Sequence, residues 1–534
     1  MRLPKIQMPT IAEPEKTPLV LQLVEIIEQQ AVVIQQQAEE NQMLKDEIAR
    51  LKGQKPKPVI RPSTLEKDPD DDVKKKASSD KRPGSDKKSK TADLTIHETI
   101  NIPPANIPPG SKIKDYQPFT VIGIHIKSHN ICYNLERWET PDGKYIIGQL
   151  PPDVIGHYSA ELHRYVLFLH NNCLVTQPLI LEHLRELNID ISAGQISRIL
   201  TEDKDIFHRE KDGLLPAGIN VSSFIQADDT GARHKGKNGY CTHIGNELFA
   251  WFKSTNSKSR INFLELLCTG QNGYVINADA LEYMNNQGLA KFVIGLLKNH
   301  STKQFADITA WGTHLADLQI TNHRHIKIAT EGALIGSILH NGLPRSLVII
   351  SDDAGQFNVF DHSLCWIHAE RLLKKLVAPS DEKRQILETV RKQIWEFYRE
   401  LKAYKICPNE SDKSRLKAKF CDIFTQKTGY QMLDLALERL YENMDELLLV
   451  LERPEIPLHN NLSERDIREY VKRRKISGST RSDLGRRCRD TFTSLKKTCR
   501  KLGVSFWEYL LDRLSNKNEI LPLPAIIQNR ANPP

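Results

Sequence analysis

Two short segments constrain this chain more than any other feature. SSFIQADDTG at 222–231 and SLVIISDDAG at 346–355 each set an apolar, β-branched run directly before two aspartates and a small residue followed by glycine. Such runs read as buried strands. Their neighbours alternate in type: YCTHIGNELFAWFKS reads as one or two strands, SRINFLELLC as a helix and HSLCWIHAERLLKKL as a helix. Across 219–376 that alternation predicts an α/β layer built on a mixed sheet. Ligands and reacting groups collect at strand ends in such sheets. Asp228 and Asp229, and Asp352 and Asp353, are therefore candidate carboxylates for a hard divalent cation such as Mg²⁺. Taken singly, each pair also suits a turn or a helix cap.

A third acid stands in HNNLSERDIREYVKRRKISGSTRSDLGRRCR. Asn461 or Ser463 can cap a helix over 461–476, and Glu464, Arg468 and Lys472 recur on one of its faces. From 458 to 501 there are fourteen Lys/Arg against five Asp/Glu, whereas the whole chain carries a net charge of only +8. The segment is the electrostatic footprint of the molecule, and a phosphate backbone is its natural partner. Intrahelical pairs, Glu464–Arg468 and Glu469–Arg473, are the structural alternative. Two carboxylates from strands and a third from a helix could hold two ions, the arrangement that clamps the attacking and leaving oxygens of a phosphoryl displacement.

The flanks differ in kind. Over 19–52, Val20, Ile27, Ile34, Asn41 and Ile48 alternate with Leu23, Gln30, Gln37, Leu44 and Leu51 at heptad spacing. That seam predicts a coiled coil that pairs copies of the chain. Residues 53–93, rich in Lys, Asp, Ser and Pro, predict a disordered linker. Residues 95–150, with FTVIGIHIKSHNICYNLERW and KYIIGQL around a PDG turn, predict a small β-rich segment. Residues 151–210 read as helical. Within them a helix over about 177–187, a turn at 188–191 and a helix capped by Ser192 form a helix-turn-helix-like pattern offering Gln195, Ser197 and Arg198. Residues 380–452 read as helical throughout, and 490–515 as a further helix.

Composition excludes several classes. No run of about 18 apolar residues occurs, so no membrane span and no membrane partner is expected. MRLPKIQMPTIAEPEK lacks the apolar core of a signal peptide. The nine cysteines are scattered without a CxxC, which argues against a disulfide scaffold or zinc ribbon and points to a reducing, cytoplasmic setting.

ADDTGARHKGKNGY, SDDAGQF, LCWIHAERLLKKL and NNLSERDIREYVKRRKISGSTRSDLG, in this order, resemble the insertion sequence 66 family of transposases over roughly 150–515. The resemblance implies a DDE-type enzyme: a ribonuclease H-like core at 219–376, an α-helical insertion at 377–457, and a segment at 458–515 bearing the final Glu. It implies two Mg²⁺ ions, for which Mn²⁺ can substitute, held by Asp228, Asp352 and Glu464 as the catalytic and metal-holding set. Asn460 and Asn461 would support the site, and Arg465, Arg468, Lys472, Arg473 and Arg474 would contact double-stranded DNA at element ends and target. Cys365 and His368 match a C-x-x-H motif of the family. They are two ligands short of a structural zinc, which favours a packing or hydrogen-bonding role near the site. A nucleoid-associated, bacterial setting and accessory proteins follow from the same likeness.

Two departures stand out. The position of the family's zinc-binding segment holds only Cys132, and the two Asp are unusually far apart, which marks 269–340 as an inserted subdomain whose Asp279, Asp307 and Asp317 read as structural or surface acids. The competing readings are a repurposed DNA-binding protein without catalysis and a metal-dependent nuclease that does not join strands.

Overall fold

The computed structural model describes Gln30 and residues 95–151, 154, 156–270 and 273–531. The coiled coil expected over 19–52 and the linker over 53–93 lie outside the described residues, Gln30 apart. Over 95–136 the chain forms neither helix nor strand. Only a hairpin follows, β1 (Arg137–Glu139) with β2 (Tyr145–Ile147), turning at Asp142-Gly143. This corrects the expected β-rich run at FTVIGIHIK. Its alternating Ile122, Ile124 and Ile126 are exposed, and a β pattern is stable only where a neighbouring edge accepts it; among the described residues no strand pairs with it.

Four helices come next: α1 (Ala160–Asn171), α2 (Gln177–Glu186), α3 (Ala193–Thr201) and α4 (Asp205–Asn220). The turn between α2 and α3 passes through Asn188 at φ 54°, a left-handed position that Asn tolerates. Ser192 then caps α3 by accepting from the Gln195 amide at 3.1 Å. Ile196, Ile199 and Leu200 of α3 are buried and Arg198 is exposed.

The central sheet has the order β5-β4-β3-β8-β9. β3 (Phe224–Gly231), β4 (Tyr240–Gly245) and β5 (Ala250–Thr255) form an antiparallel meander. α5 (Arg260–Leu267) starts at the Ser259 cap. A lobe then intervenes: β6 (Tyr274–Val275), α6 (Ala278–Asn286), α7 (Lys291–Asn299), β7 (Gln304–Phe305), α8 (Ile308–Asp317) and α9 (His323–His340). The acids of this lobe have structural work: Asp307 caps α8 and Asp279 pairs with Arg345. The lobe shares its core with the main body, since Met284, Trp311 and Leu334 fall in one hydrophobic cluster with Ile225, Ala227 and Ile349; within the lobe, Gly336 of α9 lies so close to β6 that an added Cβ would fall on the Val275 carbonyl. The chain returns as β8 (Val348–Ser351), parallel to β3, and β9 (Asp361–Leu364), parallel to β8. The sequence pattern had assigned HSLC to the following helix. His362–Leu364 instead belong to a fifth strand, held by pairing to β8, and Cys365 stands at the cap position of α10 (Trp366–Lys374).

Burial alternates with the pleat. Ile225, Ala227 and Ile349 face the core shared with α1–α4 and the 269–340 lobe, whereas Val348 and Ile350 face the helical insertion. That insertion comprises α11 (Asp381–Tyr404), α12 (Glu410–Phe424), α13 (Gln431–Glu442), the short α14 (Met444–Leu447) and a 3-10 turn at Leu449–Leu451. It is fixed to the sheet by Arg439 on Asp353, by Glu446 accepting from Asn358 at 2.6 Å, and by the Trp366 indole donating to the Leu447 carbonyl at 2.9 Å.

α15 (Asn461–Ser477) lies across β3 and β4. α16 (Asp483–Lys501) covers the outer edge of β5. There the amides of Ala250, Phe252 and Ser254 donate to Thr498 Oγ1 (3.1 Å), Ser494 Oγ (2.9 Å) and Asp490 Oδ2 (2.7 Å). Four residues of helix rise about 6 Å and two of strand about 6.6 Å, so a polar stripe at i, i+4, i+8 matches every second amide of an edge. The expected single helix at 490–515 is two, because the chain turns at Gly503 (φ 62°) into α17 (Phe506–Leu514); α18 (Leu523–Ala531) closes the described fold. No helix among the described residues is long and apolar enough to cross a membrane.

Candidate active site

The pairing of β3 with β8 sets the geometry of the site. Phe224, Ile225 and Gln226 lie opposite Val348, Ile349 and Ile350. Continued by two residues, that register puts Asp228 beside Asp352, just past the carboxyl end of β8. Asp228 is half-buried, and burial together with the Asp352 charge pushes its carboxyl well above the usual range; Glu464 and Asp229 add to this, and the Asp229 amide, donating at 2.7 Å, opposes it. Burial also raises Asp229, whose Oδ2 accepts from Gln356 at 3.1 Å and whose buried Oδ1 has no partner among the described residues. The Ala354 amide donates to Asp352 Oδ1 at 3.2 Å.

Glu464 arrives on the first turn of α15, and the residues before it are bound to β3. Gln226 donates to the His459 carbonyl (3.1 Å) and accepts from the Ser463 amide (3.1 Å). Asn460 donates to the Ala227 carbonyl at 2.9 Å, one residue before Asp228, and its amide donates to Cys365 Sγ at 3.2 Å. Burial pushes the Cys365 thiol up to about 11, so it serves as a neutral acceptor here. The Oδ1 atoms of Asn460 and Asn461 are buried without a partner among the described residues.

On the other side Glu464 Oε1 meets His368 Nε2 at 3.4 Å and Arg371 Nη1 at 3.3 Å, while Arg371 also lies 3.0 Å from His368. Burial and the Arg371 charge lower the His368 pKa, which keeps the ring neutral and able to accept from Arg371. The inner face of α15 is anchored as well. Ser463 Oγ lies 2.6 Å from His243 Nδ1, and Asp466 pairs with His243, Lys497 and Lys501 at 3.3, 3.2 and 2.8 Å. Burial opposes ionisation of Asp466, but the His243 hydrogen bond and the lysine charges outweigh it and hold its carboxyl below the usual range.

The three expected carboxylates thus lie close enough to act on one another electrically. Among the described residues, however, no three His, Cys, Asp or Glu side chains converge as a ready set of metal ligands. A cation suits this site chemically. The largest charge effects on Asp228 come from other carboxylates, and acceptor oxygens on Asp229, Asn460 and Asn461 lack partners.

The basic residues divide. Arg465 and Lys472 are exposed, and Arg468 is half-buried at 3.9 Å from Glu464. Arg473 is buried, with burial and Arg489 pushing it down to about 9, so it is not placed to touch a phosphate. Arg474 is half-buried and donates to the Gly231 carbonyl and Thr230. Both are corrections, since their side of α15 packs against the sheet. The local excess of cations is also less of a surface than the sequence suggests. Arg489, Lys496 and Lys497 are buried, and Lys496 pairs with Glu469 at 2.6 Å, the partner the sequence had given to Arg473. Arg371, Gln226, Gln356 and His243 were missed as supporting residues. Only Arg371 carried a signal, one helical turn past His368.

A family model described as "Transposase IS66 family" matches residues 336–487. That span includes Asp352 and Glu464 and excludes Asp228. The chain is also similar to the uncharacterized protein y4jO of Sinorhizobium fredii: 43% identity over 321 residues, covering 60% of this chain and all of that protein.

Proposed function

The chain belongs to the IS66 family of transposases, and from that premise we propose that it cleaves DNA at the ends of its element and joins the exposed 3′-hydroxyl to target DNA. The observation that supports this is the placing of Asp228 beside Asp352 on adjacent parallel strands, with Glu464 on the first turn of α15 near enough for its charge to act on Asp228. A ribonuclease H-like core is supported by the order β5-β4-β3-β8-β9, with β4 antiparallel to its neighbours and β8 and β9 parallel to β3.

Asp228, Asp352 and Glu464 would hold two Mg²⁺ ions. When bound, such ions stabilise charge on the attacking and leaving oxygens of a phosphoryl displacement. The chain's own residues prepare that site. Asn460 and Gln226 fix the start of α15 against β3, so Glu464 keeps a set distance from Asp228. Arg371, which also contacts the neutral His368 ring, orients the Glu464 carboxylate. Arg465, Lys472 and Arg468 would lie along the DNA backbone, α3 would present Gln195, Ser197 and Arg198 to the duplex, and the heptad segment at 19–52 would pair two copies.

The test is nicking of a duplex that carries the element's own ends, with and without Mg²⁺. Asp352→Asn is expected to abolish nicking and leave duplex affinity within about twofold; full nicking by this variant would refute the assignment. The hold of Arg371 and His368 on Glu464 favours one alternative, a DNA-binding protein that no longer cuts, for which the wild type would bind those ends and leave them intact.

A further inference from the structure

A second basic surface lies beyond the carboxylates, and we propose that the β3–β4 hairpin tip, with the loop after α15, grips the phosphate backbone of duplex DNA leaving the site. This rests on the reading of the chain as a DNA-processing enzyme. The ladder continues past β3, with Ala232 and His234 amides donating to the Gly239 and Lys237 carbonyls at 2.7 and 3.0 Å. It closes through Lys235 and Gly236, both at positive φ (47° and 77°), the two-residue turn that suits strand twist. The tip is therefore rigid and extended, and it carries Lys235 and Lys237 exposed.

The tip does not stand alone. The Lys235 amide donates to the Thr480 carbonyl at 2.9 Å, His234 Nδ1 lies 2.8 Å from Thr480 Oγ1, and Asp483 accepts from Lys235 Nζ at 2.6 Å. The loop so attached adds exposed Arg481, and Lys258 covers the Tyr240 ring at 5.7 Å on the same end of the sheet. Asp483, the acid nearest the tip, is already engaged by Lys235 and His234.

Position makes this surface one for DNA. From Asp228 the chain follows β3 to Gly231 and the continued ladder to Lys235, seven residues at about 3.3 Å each, so the tip stands roughly 20 Å from the carboxylates. That is about six base pairs of a duplex lying along the strand. Lysines meeting phosphates there would set the register of the DNA without reading its bases.

The test titrates an arbitrary 30-base-pair duplex at several salt concentrations. It compares the wild type, Lys235→Glu/Lys237→Glu, and a control, Lys392→Glu/Lys402→Glu, on the exposed side of α11. The hairpin variant is expected to lose roughly tenfold in affinity and to lower the slope of log K against log salt by about two, with the control unchanged. Arg481→Glu, on the facing loop, is expected to weaken binding in the same direction and keeps the test decisive if the hairpin variant misfolds. Wild-type affinity and slope in the hairpin variant or in Arg481→Glu, or an equal loss in the control, would overturn the proposal. A wild type that binds no duplex at all would overturn the functional reading with it.

Discussion

Asp228 is in an energetically poor place for a charge. It is half-buried and faces Asp352 and Glu464, and its carboxyl is accordingly raised. A carboxyl whose folded pKa lies above its unfolded value opposes folding as pH climbs through that folded pKa. Without divalent cations, Asp228→Asn is therefore expected to raise the melting temperature at pH 8 by about 2–4 °C, the shift that roughly 1 kcal/mol gives in a large domain. Added Mg²⁺ should stabilise the wild type more than the variant, because a ligand stabilises only the state that holds it. Thermal unfolding at both conditions checks this, and a variant less stable than the wild type in metal-free buffer would contradict it. At this scale the three acids were visible in the sequence from the strand-like runs and the helix start beside them, although β3 does not end before Asp228 but carries on to Gly231. The roles of Arg473 and Arg474 were not, since nothing in a run of four cations tells which of them turn inward.

Among the elements, α16 contributes most that the sequence concealed. Its lysines and arginines suggested a nucleic-acid face, yet Asp490, Ser494 and Thr498 make it the cover of an open sheet edge. The stripe at i, i+4, i+8 was present in the sequence, but its meaning depends on a strand more than two hundred residues away. Ser494→Ala removes the acceptor of the buried Phe252 amide. It is expected to cost about 1–3 kcal/mol, the desolvation of an unpaired buried donor, and to speed exchange of that amide selectively; denaturation and hydrogen exchange measure both. The helices α2, α3, α5, α10 and α15 were legible from apolar spacing, and α3 also from its Ser192 cap; Asn461 and Ser463, expected to cap α15, instead lie within it, after Asn460. β9 was not, because four polar-rich residues become a strand only through β8, and the Ile-rich run before β1 failed as strands for want of a partner.

For the whole molecule, titration of buried groups sets the acid limit of stability. Burial pushes His170 down to about 3 and His208 to about 4. The folded state prefers both rings neutral, so their contribution is complete above the ordinary value of 6.5 and is lost as pH falls from there toward 4. Asp466, held low by His243 and two lysines, loses its contribution only below its ordinary 3.8. The raised carboxyl of Asp228 works in the opposite direction, so the histidines are tested by difference: His208→Gln is expected to lose less stability than the wild type between pH 6.5 and 4 in chemical denaturation, whereas an equal loss in both would contradict the assignment. The sheet of the core could be anticipated from alternating patterns and the helical block from its composition, whereas the inserted lobe was marked by the distance between the two Asp relative to the family. The docking between these parts could not, because it depends on which apolar faces meet, as where Val348 and Ile350 pack against the helical insertion.

The central claim is that Asp228 within β3, Asp352 just past the end of β8 and Glu464 on the first turn of α15 perform strand cleavage and joining. The most direct measurement is cleavage and joining on DNA carrying the gene's own flanking ends, comparing the wild type with Glu464→Gln in the presence and absence of Mg²⁺. The account predicts metal-dependent nicking and joined products for the wild type, and neither for the variant despite unchanged DNA binding. Joined products from Glu464→Gln at the wild-type rate would contradict it.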